Sequence, residues 1–224
     1  MGENDSCPAP REKGVESSDA SGYPSDCELT QALLEKARTR NQPVMRSDEW
    51  KAALPRAKEV KLLLLDVDGV LTDGTITYTH DGGESKGFNT QDGFGLRILQ
   101  DAGVDVGLIT ARTSEAVTRR AQDLKLKYVF QGAGNKNNVY EEILGTSGLR
   151  PLQTAYMGDD WLDLQLLHRV GFAAAPANAV AEVRQRVHYV TSHSGGRGAV
   201  REVCEVILEA RGELTAIFKK FLNP

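Results

Sequence analysis

The stretch Lys61-Leu62-Leu63-Leu64-Leu65-Asp66-Val67-Asp68-Gly69-Val70-Leu71-Thr72 decides how the chain folds. Four leucines end at two carboxylates one residue apart, and a glycine follows. The run is too short to cross a membrane. An apolar run without polar alternation suits a strand covered on both faces, as in a parallel sheet. Its carboxyl end presents Asp66 and Asp68 at the edge where open α/β sheets bind ligands, and Gly69 lets the chain bend there. An Asp-Gly turn accounts for Gly69 but not for an acid pair capping an apolar strand. A calcium loop is disfavoured, because Val70 stands at the next ligand position and a strand, not a helix, precedes it. A solvated surface pair and a carboxylate nucleophile beside a second acid near a metal both remain open, and the downstream residues decide between them.

The chain has 224 residues, 40% hydrophobic and 26% charged, which suits one sizeable globular domain with appendages. A net charge of −4 argues against nucleic acid or an anionic membrane as partner. No apolar run approaches transmembrane length. Cys7, Cys27 and Cys204 are odd in number and widely spaced, so free thiols in a reducing compartment, the cytoplasm, are expected. Residues 1–25 are rich in Ser, Asp, Glu, Gly and Pro and are expected to be disordered, with neither the apolar core of a signal peptide nor the basic composition of a transit peptide.

A helical arm and connector is expected over 26–57: Leu29, Leu33 and Leu34 fall at helical spacing behind Asp26 as cap, and Pro43 and Pro55 bracket a connector holding Trp50. The core domain is expected over 58–212, with a tail at 213–224. After the first strand, Thr, Ile and Tyr alternate up to Asp81-Gly82, which predicts a β-hairpin with Lys86 on its return limb, where it could reach an anion. Asp92 is expected to start a helix ending at Gly103. Strands are then expected at 104–109, 127–130, 153–157, 172–174 and 188–190. Helices fill the intervals, the last over 199–209. This alternation implies a Rossmann-like parallel sheet with helices on both faces. Neither a G-x-G-x-x-G nor a G-x-x-x-x-G-K motif is present, so dinucleotide and P-loop nucleotide binding are disfavoured.

Asp66 with Asp68, Thr110, Lys136, and Asp159 with Asp160 and Asp163 all stand where buried strands end or helices begin, so one sheet edge can gather them. Crowded carboxylates repel unless a cation is present, and oxygen donors suit a hard divalent ion, most simply magnesium. Thr110 and Lys136 then suit a phosphoryl group. Taken singly, Thr110 and Asp159 read as helix caps, Lys136 as a solvated lysine and Asp163 as surface charge. Their ordered combination favours chemistry.

The series Asp66-Val67-Asp68-Gly69-Val70-Leu71-Thr72-Asp73-Gly74, Ile109-Thr110-Ala111-Arg112, Lys136 and Gly158-Asp159-Asp160-Trp161-Leu162-Asp163 resembles the haloacid dehalogenase superfamily. Within it, the chain is similar to the family of 3-deoxy-D-manno-octulosonate 8-phosphate phosphatases. The similarity runs from about 58 to 212 and includes Lys86, Asn89, Asp92-Gly93, Arg112, Arg120, Asn178-Ala179 and the stretch 195–202; Ala111 replaces the family glycine. The resemblance implies Asp66 as nucleophile and Asp68 as general acid and base. It implies metal binding by Asp66, the Asp68 carbonyl and Asp159, with Asp160 and Asp163 in support. Thr110 and Lys136 would hold phosphoryl oxygens. Substrate contacts would come from Asp68, Lys86, Asn89, Thr90, Gln91, Asp92, Gly93, Arg97, Arg112, Arg120 and Lys136. The intervals between motifs leave no room for a cap domain, so neighbouring subunits are expected to enclose the site. The family's homotetramer would use hairpin contacts at 79–89 and the tail at 218–224. A nine-carbon sialic-acid-type 9-phosphate is the alternative substrate, and a non-catalytic assembly module of the same fold is the alternative of another class.

Overall fold

The computed structural model describes residues 26–40 and 44–222. The disorder expected for 1–25, and the ends of the connector (Pro43) and tail, lie outside the described residues. The chain divides into residues 1–45 and 46–224. In the first unit, α1 (Asp26–Arg40) is the expected helix, with Leu29, Leu33 and Leu34 exposed.

The second unit is built on six parallel strands: β1 (Leu62–Leu65), β4 (Asp105–Ile109), β5 (Tyr128–Phe130), β6 (Thr154–Met157), β7 (Phe172–Ala175) and β8 (Tyr189–Val190). Their order is β5-β4-β1-β6-β7-β8, so β1 is central. Its leucines alternate between two cores. Leu63 and Leu65 pack with Val106, Leu108 and Met157, while Leu62 and Leu64 pack with Ile109, Tyr156 and Ala173. Each fully buried leucine contributes roughly 2 kcal/mol of apolar transfer, which is why β1 tolerates no polar residue until the sheet edge. The first core is covered by α3 (Thr90–Asp101), α4 (Glu115–Asp123) and α8 (Ala199–Ala210), the second by α5 (Lys136–Ser147), α6 (Leu164–Leu167) and α7 (Ala181–Arg184).

Register places the motifs. Leu65 pairs with Leu108 on one side and Met157 on the other. Asp66, Thr110 and Gly158-Asp159 therefore leave the sheet side by side at its carboxyl edge. The hairpin shrinks to two short strands, β2 (Thr77–Tyr78) and β3 (Glu84–Ser85), paired antiparallel.

Three expectations are corrected. Residues 48–57 form a helix, α2 (Asp48–Ala57), rather than a connector, and Pro55 lies inside it. Ser47 caps it by accepting from Trp50 N at 3.1 Å. Burial of Trp50, Ala53 and Ala57 against the first core offsets the single backbone bond that a proline in the last turn removes. The compact unit thus starts at Arg46 instead of 58. Second, α3 begins at Thr90, not Asp92, because the Asn89 side chain accepts from Gln91 N at 2.7 Å and caps the helix. Third, the expected helix after Asp163 is only four residues, preceded by a single turn over Trp161–Asp163. The tail is helical: α9 (Leu214–Leu222) rests on α8 through Leu214 and Ile217.

Candidate active site

Beyond Leu65 the chain turns sharply. The carbonyl of Val67 accepts from Leu71 N at 2.9 Å and Thr72 N at 3.0 Å, and Gly69 takes φ +84°. A Cβ on Gly69 would stand 2.0 Å from Asp159 Oδ2. Glycine is needed there for conformation and for room. The turn holds Asp66 and Asp68 apart: Asp66 faces the sheet edge, Asp68 the hairpin.

Asp66 Oδ1 accepts from Val67 N at 2.7 Å, and Oδ2 pairs with Lys136 Nζ at 2.9 Å. Lys136 opens α5, behind the Asn135 cap. A cation at a helix N-terminus is unfavourable on dipole grounds, so acceptors must hold it. They are Asp163 Oδ1 at 2.7 Å, Asp66, and the Tyr156 hydroxyl at 3.1 Å. Burial pulls the Lys136 ammonium toward neutrality, but the Asp163 and Asp66 charges outweigh it, and the net shift is upward. Asp163 is buried with both oxygens occupied. Oδ1 takes Lys136 and the Tyr156 hydroxyl at 2.6 Å, and Oδ2 takes Asp159 N at 2.9 Å and Asp160 N at 3.3 Å. Asp163 therefore holds Lys136, Tyr156 and the backbone of Asp159 and Asp160 in place. Asp160 caps the following turn through Trp161 N at 2.7 Å.

Sequence reasoning missed Tyr156. Its hydroxyl must be satisfied in a buried central strand, and it stands two residues before Gly158-Asp159. That was the available signal. Burial and the neighbouring Asp163 and Asp66 charges hold it neutral, so it donates.

Ligand oxygens of Asp66, Asp159 and Asp163 lie within 4.8 Å of one another. Burial, then the charge of Asp163, raises Asp66 to about 6; burial, then Asp163 and Asp66, raises Asp159 to about 7. Carboxylates that resist ionising because of one another, with only oxygen donors, fit a hard divalent cation. Since Asp163 is fully occupied, Asp66 and Asp159 are the side chains left to hold it. Thr110, 3% exposed, stands beside them at the end of β4.

The carboxylate of Asp68 lies outside this cluster. It pairs with Lys86 Nζ, and Arg112 Nε is 3.8 Å from its Oδ2. Glu84 bridges the two cations, with Arg112 Nη2 at 2.7 Å and Lys86 Nζ at 3.2 Å. The Arg112 guanidinium holds Glu84 down at about 2. Sequence alone placed Lys86 where it could reach an anion; here its side chain is buried against two carboxylates.

Beside the turn lies a groove of about 350 Å³ lined by Asp73, Gly87, Phe88, Asn89, Thr90, Gly196 and Arg197. Of the residues expected around substrate, Asn89 and Thr90 line it. Asp92 turns inward and accepts from Gly198 N at 3.2 Å and Arg201 N at 2.8 Å, capping α8. Gly93 makes room for Arg120, whose Nη2 would be 2.2 Å from a Cβ there and donates to the Asn89 carbonyl at 3.0 Å. Gln91 and Arg97 are exposed on α3. Arg197 reaches toward Asp73 at 3.5 Å, whereas Arg201 pairs with Glu205 within α8 at 2.7 Å.

Comparison with known proteins agrees with this geometry. A family model of haloacid dehalogenase-like hydrolases matches residues 129–203. A 3-deoxy-D-manno-octulosonate 8-phosphate phosphatase of Yersinia pestis is 42% identical over 161 residues, 72% of this chain and 86% of the relative. A probable YrbI-family phosphatase of Pseudomonas syringae superposes with a TM-score of 0.76 at 42% identity, over 80% of this chain and 99% of that one. The 3-deoxy-D-manno-octulosonate 8-phosphate phosphatase of Moraxella catarrhalis, solved with a magnesium ion, a phosphate ion and a KDO molecule, superposes with a TM-score of 0.74 at 38% identity, over 75% and 97%. Strand-end carboxylates, then threonine, lysine and a second carboxylate group, with that identity over most of the relatives' length, place the chain in the haloacid dehalogenase-like hydrolases, where it belongs to the 3-deoxy-D-manno-octulosonate 8-phosphate phosphatase family.

Proposed function

We propose that this chain is a magnesium-dependent phosphatase releasing phosphate from 3-deoxy-D-manno-octulosonate 8-phosphate. The observation that carries it is the division of labour between two acids: Asp66 lies 2.9 Å from Lys136 in the carboxylate cluster, and Asp68 lies apart on the hairpin side. An oxygen of Asp66 attacks phosphorus while the bond to the sugar oxygen breaks, and Asp68 gives that oxygen its proton. Water then attacks the phosphoryl group on Asp66. Asp68 takes the proton of this water, and the phosphorus bond to Asp66 breaks. Lys136 and Thr110 hold the phosphoryl oxygens. Magnesium held by Asp66, the Asp68 carbonyl and Asp159 supplies charge neutralisation for those oxygens. Asn89 and Thr90 line the groove, and Arg97, Arg112 and Arg120 are the cations assigned to the anionic sugar acid. Lys86, Gln91, Asp92 and Gly93 shape that side.

The same reading carries an assembly and a compartment: a homotetramer in the cytoplasm. Tyr78 on the hairpin and Phe218, Phe221 and Leu222 on α9 are exposed, which supports an interface. Among the described residues, no helix is long and apolar enough to cross a membrane.

Phosphate release is measured with magnesium from the octulosonate 8-phosphate, a sialic-acid-type 9-phosphate, glucose 6-phosphate and p-nitrophenyl phosphate, with Asp66→Asn as blank. The expected result is a strong preference for the eight-carbon acid, lost in the variant by at least about 10³-fold. Preference for the nine-carbon acid would keep the mechanism and replace the substrate. Release from none of them by folded, metal-binding protein would leave the assembly module.

A further inference from the structure

Lys86 is 18 residues beyond Asp68 in the chain, on the return limb of the hairpin. Its side chain is 0% exposed, although its backbone is accessible. A buried ammonium is costly unless carboxylates surround it. Two do, and they are not equivalent. Glu84 Oε1 lies 3.2 Å away yet makes no hydrogen bond, so it offers charge alone. The directional bond from Lys86 Nζ goes to Asp68 Oδ1. Glu84 cannot swing to compete, because Arg112 grips its other oxygen at 2.7 Å and also reaches the Tyr78 hydroxyl on the first limb at 3.4 Å.

The two oxygens of Asp68 therefore differ. Oδ1 is tied to the hairpin. Among the described residues, Oδ2 has only Arg112 Nε at 3.8 Å, beyond hydrogen-bond reach. We propose that Lys86 is the positioning residue of Asp68: it fixes the carboxylate through Oδ1, so that Oδ2 is the atom that carries the proton to the leaving oxygen and later takes one from water. A substrate anion has no path to this ammonium without displacing Asp68 or Glu84, which sets the role apart from substrate binding. The inference rests on Asp68 acting as general acid and is independent of which sugar is the substrate.

The test uses the full magnesium-loaded chain and two aryl substrates, phenyl phosphate and p-nitrophenyl phosphate. The quantity read is kcat/KM, which reports only the steps through phosphoryl transfer to Asp66. Phenolate is the poorer leaving group and needs the proton more. Lys86→Met is expected to lower kcat/KM for phenyl phosphate by roughly 10- to 100-fold, less than the full effect of losing a general acid because Asp68 itself remains, and for p-nitrophenyl phosphate by under about threefold. Lys86→Arg should recover much of the loss. In an Asp68→Asn background, Lys86→Met should add almost nothing, because the residue it positions is already disabled. Equal losses on both substrates, or losses that multiply in the double variant, would show a structural role and overturn the proposal. So would a rise in KM for the sugar phosphate with kcat intact. If the wild-type chain cleaves the aryl phosphates but favours no sugar acid, the substrate reading fails while this comparison still decides the role of Lys86.

Discussion

Asp66 and Asp159 lie next to Asp163 and next to each other, and burial withholds the water that would screen them. From an ordinary value of 3.8, Asp66 rises to about 6 and Asp159 to about 7. The sign of the consequence is opposite to that of a salt-bridged carboxylate. Between about pH 4 and 7 the folded chain binds more protons than the unfolded one, so metal-free stability falls as pH rises through this window. A divalent cation removes the repulsion and competes with those protons. The melting temperature of EDTA-treated protein is expected to drop by several degrees between pH 5 and pH 8, and magnesium should restore it at pH 8 far more than at pH 5. A melting temperature that climbs steadily with pH would contradict the crowding. Much of this site was legible in the sequence, because a carboxylate ending a buried strand has few structural reasons to be there. Tyr156 was not: its role depends on cross-strand register and on where Asp163 returns. Asp92 is instructive in the opposite sense. Its motif position pointed to the groove, but its carboxylate caps α8 from inside the fold.

At the scale of elements, the turn that carries Asp66 and Asp68 is clamped by the segment before α8. Gly196 N donates to the Val70 carbonyl at 2.9 Å, and a Cβ on Gly195 would stand 1.8 Å from the Gly69 carbonyl oxygen. Backbone meets backbone there, and no flexible side chain can yield. Gly195→Ala is expected to cost about 1–3 kcal/mol by denaturant titration and to lower kcat at least about tenfold, because the displaced turn carries both Asp66 and Asp68. Gly145→Ala, in α5 with open space around it, should be neutral or stabilise slightly. Equal behaviour of the two variants would show that the clamp does not set the turn. The parallel order of elements was readable because β1 and β7 are unbroken apolar runs, and β4 and β6 carry a single polar residue, Asp105 or Thr154, at their start. α2 was not, since Pro43 and Pro55 bracket the stretch and argued for a connector. The helix exists through the contacts Trp50 makes, an edge-to-face approach to Tyr189 at 6.2 Å and an indole bond to Glu209 at 3.1 Å, and both partners lie far away in sequence.

At the scale of the molecule, α9 has two unlike faces. Leu214 and Ile217 turn to the core, while Phe218, Phe221 and Leu222 are each about 60% exposed. Phe221 meets Phe94 edge-on at 5.5 Å, and Phe94 is itself partly exposed one helical turn beyond Thr90, which lines the groove. An apolar strip thus runs from the groove toward the end of the chain. A strip of this kind on an open site is what a second copy would cover. The expectation is a tetramer of about 98 kDa by light scattering, four times the 24.4 kDa chain. Phe218→Asp with Phe221→Asp should dissociate it. Because the carboxylate cluster is built within one chain, the dissociated form should keep p-nitrophenyl phosphate turnover within about twofold, while KM for the sugar phosphate rises about tenfold or more as the groove loses its cover. A wild-type monomer at full activity on the sugar phosphate would sink the assembly, and a dissociated variant with unchanged KM would separate assembly from substrate enclosure.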